Sequence, residues 1–272
     1  MQDYTKYTFN STNEILIARL FALDFDSFQE LDESSEGYIL NDLITDELND
    51  EVKKIAAIYG AEYTIEKLEN KNWNEIWEAN FESVTVGRFC SVRADFHEAN
   101  TSVSHDIIIN PKMAFGTGHH ETTYMMIDTM SELDVNGKSV FDFGCGTAVL
   151  AILAKRLGSA RTLAIDIEKE SASNSAENTA VNAVEGIDIR QAVIQDLEPE
   201  KFDIVLANIN RQVLLNTADM IASHQNQGNI LLVSGVMHQD EQIVETRFIE
   251  AGYKRHSIKS RGDWLCIRYS RQ

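Results

Sequence analysis

The chain has 272 residues, of which 43% are hydrophobic, so it can bury a full core in one large domain or in a medium domain plus a small one. Its formal net charge of −19 disfavours direct binding to nucleic acid, since phosphate backbones are also negative. No apolar run approaches the ~20 residues needed to span a bilayer, and the N-terminus lacks a secretory signal pattern. We therefore expect a cytoplasmic protein without a membrane partner. We also expect a monomer.

The cysteines and the charge distribution narrow the class further. The three cysteines are far apart and show no CxxC or Cys/His spacing, which disfavours a disulfide framework or a zinc knuckle and fits a reducing compartment. Residues 1–80 hold 18 Asp/Glu against 6 Lys/Arg, a net charge of −12, whereas the other 192 residues carry −7. This acidity either attracts a basic protein partner or only keeps the protein soluble, and charge alone does not separate these readings.

Residues 1–66 predict a small α+β domain. Ser11 and Thr12 are candidate caps of its first helix, a turn is expected near residues 34–37, and Gly60 should stop the second helix. The order strand, helix, two strands, helix, strand predicts a ferredoxin-like arrangement. In chain order, the predicted segments are residues 4–9, 13–23, 25–40, 46–59 and 61–68.

Residues 67–82 predict a linker helix. Trp73, Trp77 and Phe81 recur at a spacing of four residues, which is more typical of a packed helix face than of a ligand site. The linker separates the small domain from a larger one over residues 83–272.

Strand-like and helical patterns alternate in the larger domain, which predicts a parallel sheet covered on both faces. The predicted strands are residues 139–143, 162–167, 187–194, 203–207 and 230–234, and the predicted helices are residues 149–157, 168–184, 211–223 and 239–251. At the end of the chain, a turn at Arg261-Gly262-Asp263 separates the strand-like residues 253–259 and 264–269. The sheet is therefore expected to close with an antiparallel hairpin.

The segment Val-Phe-Asp-Phe-Gly-Cys-Gly-Thr-Ala (residues 140–148) lies at the end of the first strand of this sheet and precedes a helix. Gly144 and Gly146 allow a ligand close to the backbone, and the helix supplies free N–H groups. A dinucleotide fingerprint would need a third glycine where Val149 stands, which weakens a dehydrogenase interpretation. Asp142 is better explained by an amino-acid ammonium group near the loop.

Asp166 is the second marker, 22 residues after Gly144 and at the end of the second strand. A carboxylate there can accept hydrogen bonds from both hydroxyls of a ribose. The alternative for the pair of markers is a tight packed turn plus a surface aspartate. Cys145 lies inside the loop, where its thiol would point at or beneath a ligand, so a nucleophilic role is disfavoured.

The pattern DxGxGxx followed by a strand-end aspartate resembles the seven-stranded S-adenosylmethionine methyltransferases. The resemblance covers about residues 85–272 and implies a Rossmann-like α/β sheet of seven strands, ending in an antiparallel hairpin. It also implies S-adenosyl-L-methionine as the cofactor, bound by Asp142, Gly144, Gly146 and Asp166.

Residues 113–123, Met-Ala-Phe-Gly-Thr-Gly-His-His-Glu-Thr-Thr, resemble the "AFGTGxHxTT" element of the bacterial methyltransferases for the eleventh large-subunit ribosomal protein (PrmA-like). In that family the element covers the cofactor, which implies contacts from Phe115, Gly116 and Thr123; read alone, Thr123 would be a helix cap. His119 and Glu121 stand where the family usually has Thr and Pro. No further ligand cluster supports a metal at His119-His120-Glu121, so no metal is expected.

Residues 203–210, Asp-Ile-Val-Leu-Ala-Asn-Ile-Asn, resemble the family's "VxANI" motif, which makes Asn208 the catalytic residue facing both cofactor and substrate. Asn210-Arg211 replaces the usual Leu-Ala that follows. The family transfers methyl groups to amino groups, on lysine side chains or the N-terminus, of a basic ribosomal protein that its small N-terminal domain grips. The alternatives are another protein or a small molecule as acceptor, or a cofactor-binding module without catalysis.

Overall fold

A computed structural model describes residues 4–21, 23–31, 34–67, 83–110, 121–198 and 200–272 of the chain. The chain divides into two compact units, Met1–Asn80 and Phe81–Gln272. The predicted linker helix over residues 67–82 lies almost entirely outside the described residues, so the predicted boundaries of 66 and 82 stay predictions.

In the first unit, four antiparallel strands form one sheet in the order β2-β3-β1-β4. With two helices between the strands, the connectivity is βαββαβ, as in a ferredoxin-like arrangement. Its elements are β1 (Tyr4–Phe9), α1 (Glu14–Phe21), β2 (Ser27–Glu30), β3 (Ser35–Leu40), α2 (Asp46–Ile58) and β4 (Tyr63–Lys67).

Two local predictions in this unit were wrong. The cap of α1 is Asn13, whose Oδ1 accepts from the N–H groups of Ile15 and Leu16; neither Ser11 nor Thr12 caps the helix in this way. The turn between β2 and β3 lies earlier than residues 34–37, because residues 35–37 already belong to β3 and the Leu31 N–H donates to the Ser34 carbonyl. The position of this turn therefore depends on hydrogen bonding between the strands, which the residue types alone do not predict.

The second unit contains a seven-stranded mixed sheet in the order β10-β9-β8-β11-β12-β14-β13. Strands β8 to β12 run parallel, and β14 lies antiparallel between β12 and β13, so the predicted terminal hairpin is confirmed. Its strands are β8 (Ser139–Phe143), β9 (Arg161–Asp166), β10 (Ile187–Gln191), β11 (Ile204–Asn208), β12 (Ile230–Met237), β13 (Tyr253–Arg261) and β14 (Trp264–Arg271).

The helices of the second unit connect these strands. They are α3 (Glu121–Met130), α4 (Val149–Arg156), α5 (Lys169–Val181), α6 (Arg211–Ser223) and α7 (Glu241–Glu250). The predicted strand 187–194 is shorter in the structure, since its last three residues follow β10 and lead into a 3₁₀ turn at Ile194–Asp196.

A small three-stranded sheet precedes α3 and was not predicted. It consists of β5 (Val84–Val86), β6 (Cys90–Arg93) and β7 (His105–Ile108), with β6 antiparallel to β5 and parallel to β7. These strands are only three or four residues long, too short for a period to be read from the sequence.

Apolar strands bury both faces of the large sheet. Val140 of β8 belongs to the core on one face, whereas Phe141 and Phe143 belong to the core on the other. This alternation follows from the two-residue period of a strand. All three cysteines are free and buried. None of the described helices is long and apolar enough to cross a bilayer.

Candidate active site

The glycine loop, residues 142–148, turns sharply between β8 and α4. Gly144 and Gly146 have φ angles of +75° and +54°, which side-chain-bearing residues rarely adopt. A Cβ at Gly144 would lie 2.3 Å from Cγ2 of Ile209, so only glycine fits there. The N–H groups of Gly144 and Cys145 both donate to the carbonyl of Ile165, which ties the loop to the end of β9.

A cavity of about 710 Å³ opens at the carboxyl ends of β8, β9 and β11. In open α/β sheets, this edge is where ligands bind. The predicted residues Gly144, Gly146, Asp166 and Asn208 all line it. The structure thus brings four of the predicted site residues to one cavity.

Asp166 lies at the end of β9 and borders the cavity. Its Oδ2 accepts from the Gly146 N–H at 2.9 Å, and its Oδ1 accepts from the Glu168 N–H at 3.0 Å. These bonds fix the direction of the carboxylate, and each oxygen keeps acceptor capacity for a further donor such as a hydroxyl.

Asn208 is the last residue of β11, and its side chain meets α3. Its Nδ2 donates to Oγ1 of Thr123 at 3.2 Å, and Thr123 is fully buried. Its Oδ1 is buried and accepts no hydrogen bond from the residues that the structure describes. Thr123 therefore reaches the site through Asn208. The amide oxygen of Asn208 has no donor within the described part of the chain, and a buried acceptor without a donor is costly.

Asp142 is not among the residues that line the cavity, and its predicted contact with an ammonium group stays a prediction. The side chain is 1% exposed, and its Oδ2 accepts from the Ala151 N–H of α4 at 3.1 Å. Burial, with a smaller contribution from the charge of Asp166, raises the pKa of Asp142 to about 7. The carboxyl group therefore supports the glycine loop from behind.

Cys145 is also behind the loop. Its thiol is 6% exposed and lies 3.5 Å from the Ser175 hydroxyl. Burial raises the pKa of this thiol far above its usual range, which keeps it protonated and unreactive.

The remaining predicted residues belong to the covering segment, to the segment after β11 and to the candidate metal site. Phe115 and Gly116, like His119 and His120, lie outside the described residues, so their predicted contacts stay predictions. The side chain of Asn210 caps α6 by accepting from the Val213 N–H at 3.0 Å. No group of three or more His, Cys, Asp or Glu within the described ranges could hold a metal ion.

Several cavity residues were missed by the sequence analysis. An apolar wall beyond β9 and β10 is formed by Ile165, Ile167, Ala192, Val193 and Ile194. Ile167 is 63% exposed, and an isoleucine directly after a strand-end aspartate could have indicated this wall.

Gly235 was missed as well. It produces a bulge in β12, with a φ angle of +82°, and a Cβ there would lie 2.1 Å from the Ile209 carbonyl oxygen. A glycine inside an apolar strand is the sequence signal for such a close approach.

Comparison with known proteins identifies the family. The model of the family described as "Ribosomal protein L11 methyltransferase (PrmA)" matches residues 25–272. The ribosomal protein L11 methyltransferase of Phocaeicola vulgatus is 35% identical over 98% of this chain and 96% of its own. A protein of the same name from Porphyromonas gingivalis is 34% identical over 97% of this chain and 92% of its own.

Among solved structures, the ribosomal protein L11 methylase of Lactobacillus delbrueckii subsp. bulgaricus superposes with a TM-score of 0.65 at 27% identity, covering 71% of this chain and all of its own. The chain therefore belongs to the ribosomal protein L11 methyltransferase family, and it is a methyltransferase with S-adenosylmethionine as its cofactor.

Proposed function

We propose that this protein transfers methyl groups from S-adenosylmethionine to amino groups, on lysine side chains or the N-terminus, of ribosomal protein L11. The observation that carries the proposal is the buried Oδ1 of Asn208 beside the cofactor cavity, an acceptor to which none of the described residues donates. An N–H group of the substrate amine would satisfy it.

The residues around the cavity fit the cofactor. The Asp166 carboxylate would hold the ribose hydroxyls, the apolar wall near Ile167 and Ile194 would pack on the purine, and the backbone at Gly144 and Gly146 would lie against the amino-acid part. When bound, the cofactor supplies an electrophilic methyl group on its sulfonium.

The protein has to deliver an uncharged amine to that methyl group. A free lysine amine has a pKa of about 10.4, so it is mostly protonated at neutral pH and its lone pair is occupied. Transfer from water to a partly apolar cavity disfavours the charged form and lowers this pKa. An N–H of the neutral amine bonded to Asn208 Oδ1 would fix the nitrogen while its lone pair stays free for the methyl group.

Thr123 supports this role of Asn208. Its Oγ1 accepts the Nδ2–H of Asn208, so the amide is held with its oxygen committed to no group of the described chain. Because the Thr123 side chain is fully buried, this orientation is fixed before the substrate arrives.

The acidic first unit is proposed to hold the protein substrate. Helix α2 and the turn before it present several exposed acids, namely Asp42, Asp46, Glu47, Asp50 and Glu51. A basic ribosomal protein would be attracted to such a surface, and the attraction would weaken with added salt.

Replacement of two of these acids tests the substrate surface. The double variant Asp42→Asn/Asp50→Asn should raise KM for the ribosomal protein several-fold at low salt and leave KM for S-adenosylmethionine unchanged. The control Asp134→Asn/Glu250→Gln makes the same charge change at exposed positions of the second unit. Equal effects of the two pairs would reject a substrate surface on the first unit.

The activity itself is tested with methyl-labelled S-adenosylmethionine and purified large-subunit ribosomal proteins, resolved by mass spectrometry. Label on amino groups of L11, with S-adenosylhomocysteine formed only when L11 is present, is the expected result. Label in another protein would show that L11 is not the methyl acceptor. Cofactor binding without any product would support a non-catalytic module.

A further inference from the structure

Helix α5 buries a row of polar side chains where an apolar face would be expected. Four of its residues and its C-terminal cap lie on one face, at spacings of three or four residues. They are Ser171, Asn174, Ser175, Asn178 and Asn182, each 9% exposed or less. Burial of so many polar groups is unfavourable unless each is hydrogen bonded, so their partners reveal what the row does.

The N-terminal part of the row binds the glycine loop. The Ser175 hydroxyl donates to the Gly146 carbonyl at 2.8 Å, and Asn178 Nδ2 donates to the Thr147 carbonyl at 3.1 Å. These are the carbonyl groups of the turn that places the Gly146 N–H on Asp166. Helix α5 therefore holds the loop through its carbonyl groups.

The C-terminal part of the row binds β7 and the residues after it. Asn182 bonds both backbone groups of Ile108: its Oδ1 accepts from the N–H at 2.9 Å, and its Nδ2 donates to the carbonyl at 2.6 Å. Asn174 Nδ2 donates to the Asn110 carbonyl at 3.0 Å, and Asn178 Oδ1 accepts from the Asn110 N–H at 2.9 Å.

Asn178 is thus the member of the row that bonds both the glycine loop and the backbone after β7. One end of its amide holds the glycine loop at Thr147, and the other holds the backbone at Asn110. The side chain is fully buried, and its Nδ2 also donates to Asn174 Oδ1 at 3.1 Å, so its orientation is determined by neighbours on both sides.

We propose that Asn178 is a positioning residue of the cofactor site: its amide fixes the glycine loop to the Asn110 backbone and so holds the loop in the conformation that binds S-adenosylmethionine. The side chain does not line the cavity, so it acts through the loop alone. This inference depends on the cofactor and not on the identity of the methyl acceptor.

The test compares Asn178→Ala with Asn182→Ala in the full-length protein. Both changes remove a buried asparagine amide of the same helix that is bonded to the 108–110 backbone, but only Asn178 also bonds the glycine loop. Calorimetry with S-adenosylhomocysteine would measure Kd, and thermal unfolding without ligand would measure Tm. Both variants should lower Tm.

Asn178→Ala should raise Kd about five- to tenfold, since it removes a loop hydrogen bond, and Asn182→Ala should leave Kd within about twofold. An unchanged Kd in Asn178→Ala would overturn the proposal. So would equal losses of affinity in both variants, because the effect would then follow stability alone.

If Asn178→Ala does not fold, Ser175→Ala gives an independent measurement. It removes the bond to the Gly146 carbonyl and the contact with the Cys145 thiol, both in the glycine loop, and leaves the asparagines in place. We expect Kd to rise about threefold. An unchanged Kd in that variant would show that contacts from α5 do not position the loop, and would equally overturn the proposal.

Discussion

Two aspartates lie on opposite sides of the glycine loop, Asp166 next to the cavity and Asp142 in the interior, and their surroundings differ. Asp166 borders the cavity, with its oxygens held by two backbone N–H groups and still able to accept further donors. Asp142 is 1% exposed, accepts one bond from Ala151 and has a pKa raised to about 7 by burial. On the cavity side, the Asp166 oxygens can still accept hydrogen bonds from a ligand. On the rear side, the Asp142 carboxyl group is bonded within the protein interior.

This difference teaches that one sequence motif can combine binding and support. Residues on the cavity side should change cofactor affinity or turnover with little effect on stability. Residues on the rear side should change stability with little effect on cofactor affinity or turnover. The exception is a residue that holds the loop directly, as proposed for Asn178.

The largest effect should come from the rear side, in Leu153→Ala of α4. Leu153 is fully buried in the core, so truncation should lower the free energy of unfolding by about 2–5 kcal/mol through lost contacts and a cavity. Urea unfolding would measure it, with Ile249→Ala, 54% exposed on α7, as the near-neutral control. A large loss of S-adenosylhomocysteine affinity in folded Leu153→Ala would contradict the expectation that residues behind the loop affect stability and not cofactor binding.

On the cavity side, Asn208→Ala should reduce kcat about 100-fold, a typical loss for one preorganised polar group in an active site. The change removes the acceptor proposed for the amine and leaves Thr123 without its bond from Nδ2. Steady-state kinetics with L11 would measure kcat, and calorimetry would show a smaller change in cofactor Kd. Normal turnover would rule out the proposed role of Asn208.

Asp166→Ala should raise Kd for S-adenosylhomocysteine about 30-fold, because two hydrogen bonds to a charged acceptor are lost. Asp188→Ala is the matched control, since Asp188 lies on the neighbouring strand β10 and pairs only with the exposed Arg190 within the described contacts. Calorimetry would measure both. A Kd unchanged by Asp166→Ala would place the ribose elsewhere.

Asp142→Asn should change the pH dependence of stability. A folded-state pKa of about 7 means that the folded protein retains a proton that the unfolded chain releases near pH 4. This contribution to stability is fully present below the unfolded pKa and is lost as pH rises through the folded pKa.

Between pH 6 and pH 8.5, the unaltered protein should therefore lose about 1.4 kcal/mol of stability that Asp142→Asn does not lose. The asparagine keeps an oxygen to accept the Ala151 N–H. Urea unfolding at the two pH values measures the difference. Parallel pH profiles for the two proteins would show that Asp142 is ionised in the fold.

Much of the architecture was predictable because it depends on local pattern. Apolar strands alternating with helices predicted the parallel sheet, and the turn at Arg261-Gly262-Asp263 predicted the closing hairpin of β13 and β14. The glycines of the loop and the position of Asp166 at a strand end also depend on neighbours close in sequence. These features needed no knowledge of distant contacts.

The direction of each side chain was decided by the tertiary structure. Asp142 shares a strand face with Val140, toward the core that α4 covers, so its carboxyl group is buried behind the loop. The bond from Asn208 to Thr123 joins residues 85 positions apart. The polar row of α5 is buried only because the 108–110 backbone and the glycine loop, both distant in sequence, supply its partners.

From sequence alone, then, the chain determined which backbone turns could form and which residue types stand at the ends of strands. Packing decided which of those residues face a ligand and which support the loop, because a polar group is stable in the interior only where a distant segment provides its hydrogen-bonding partner.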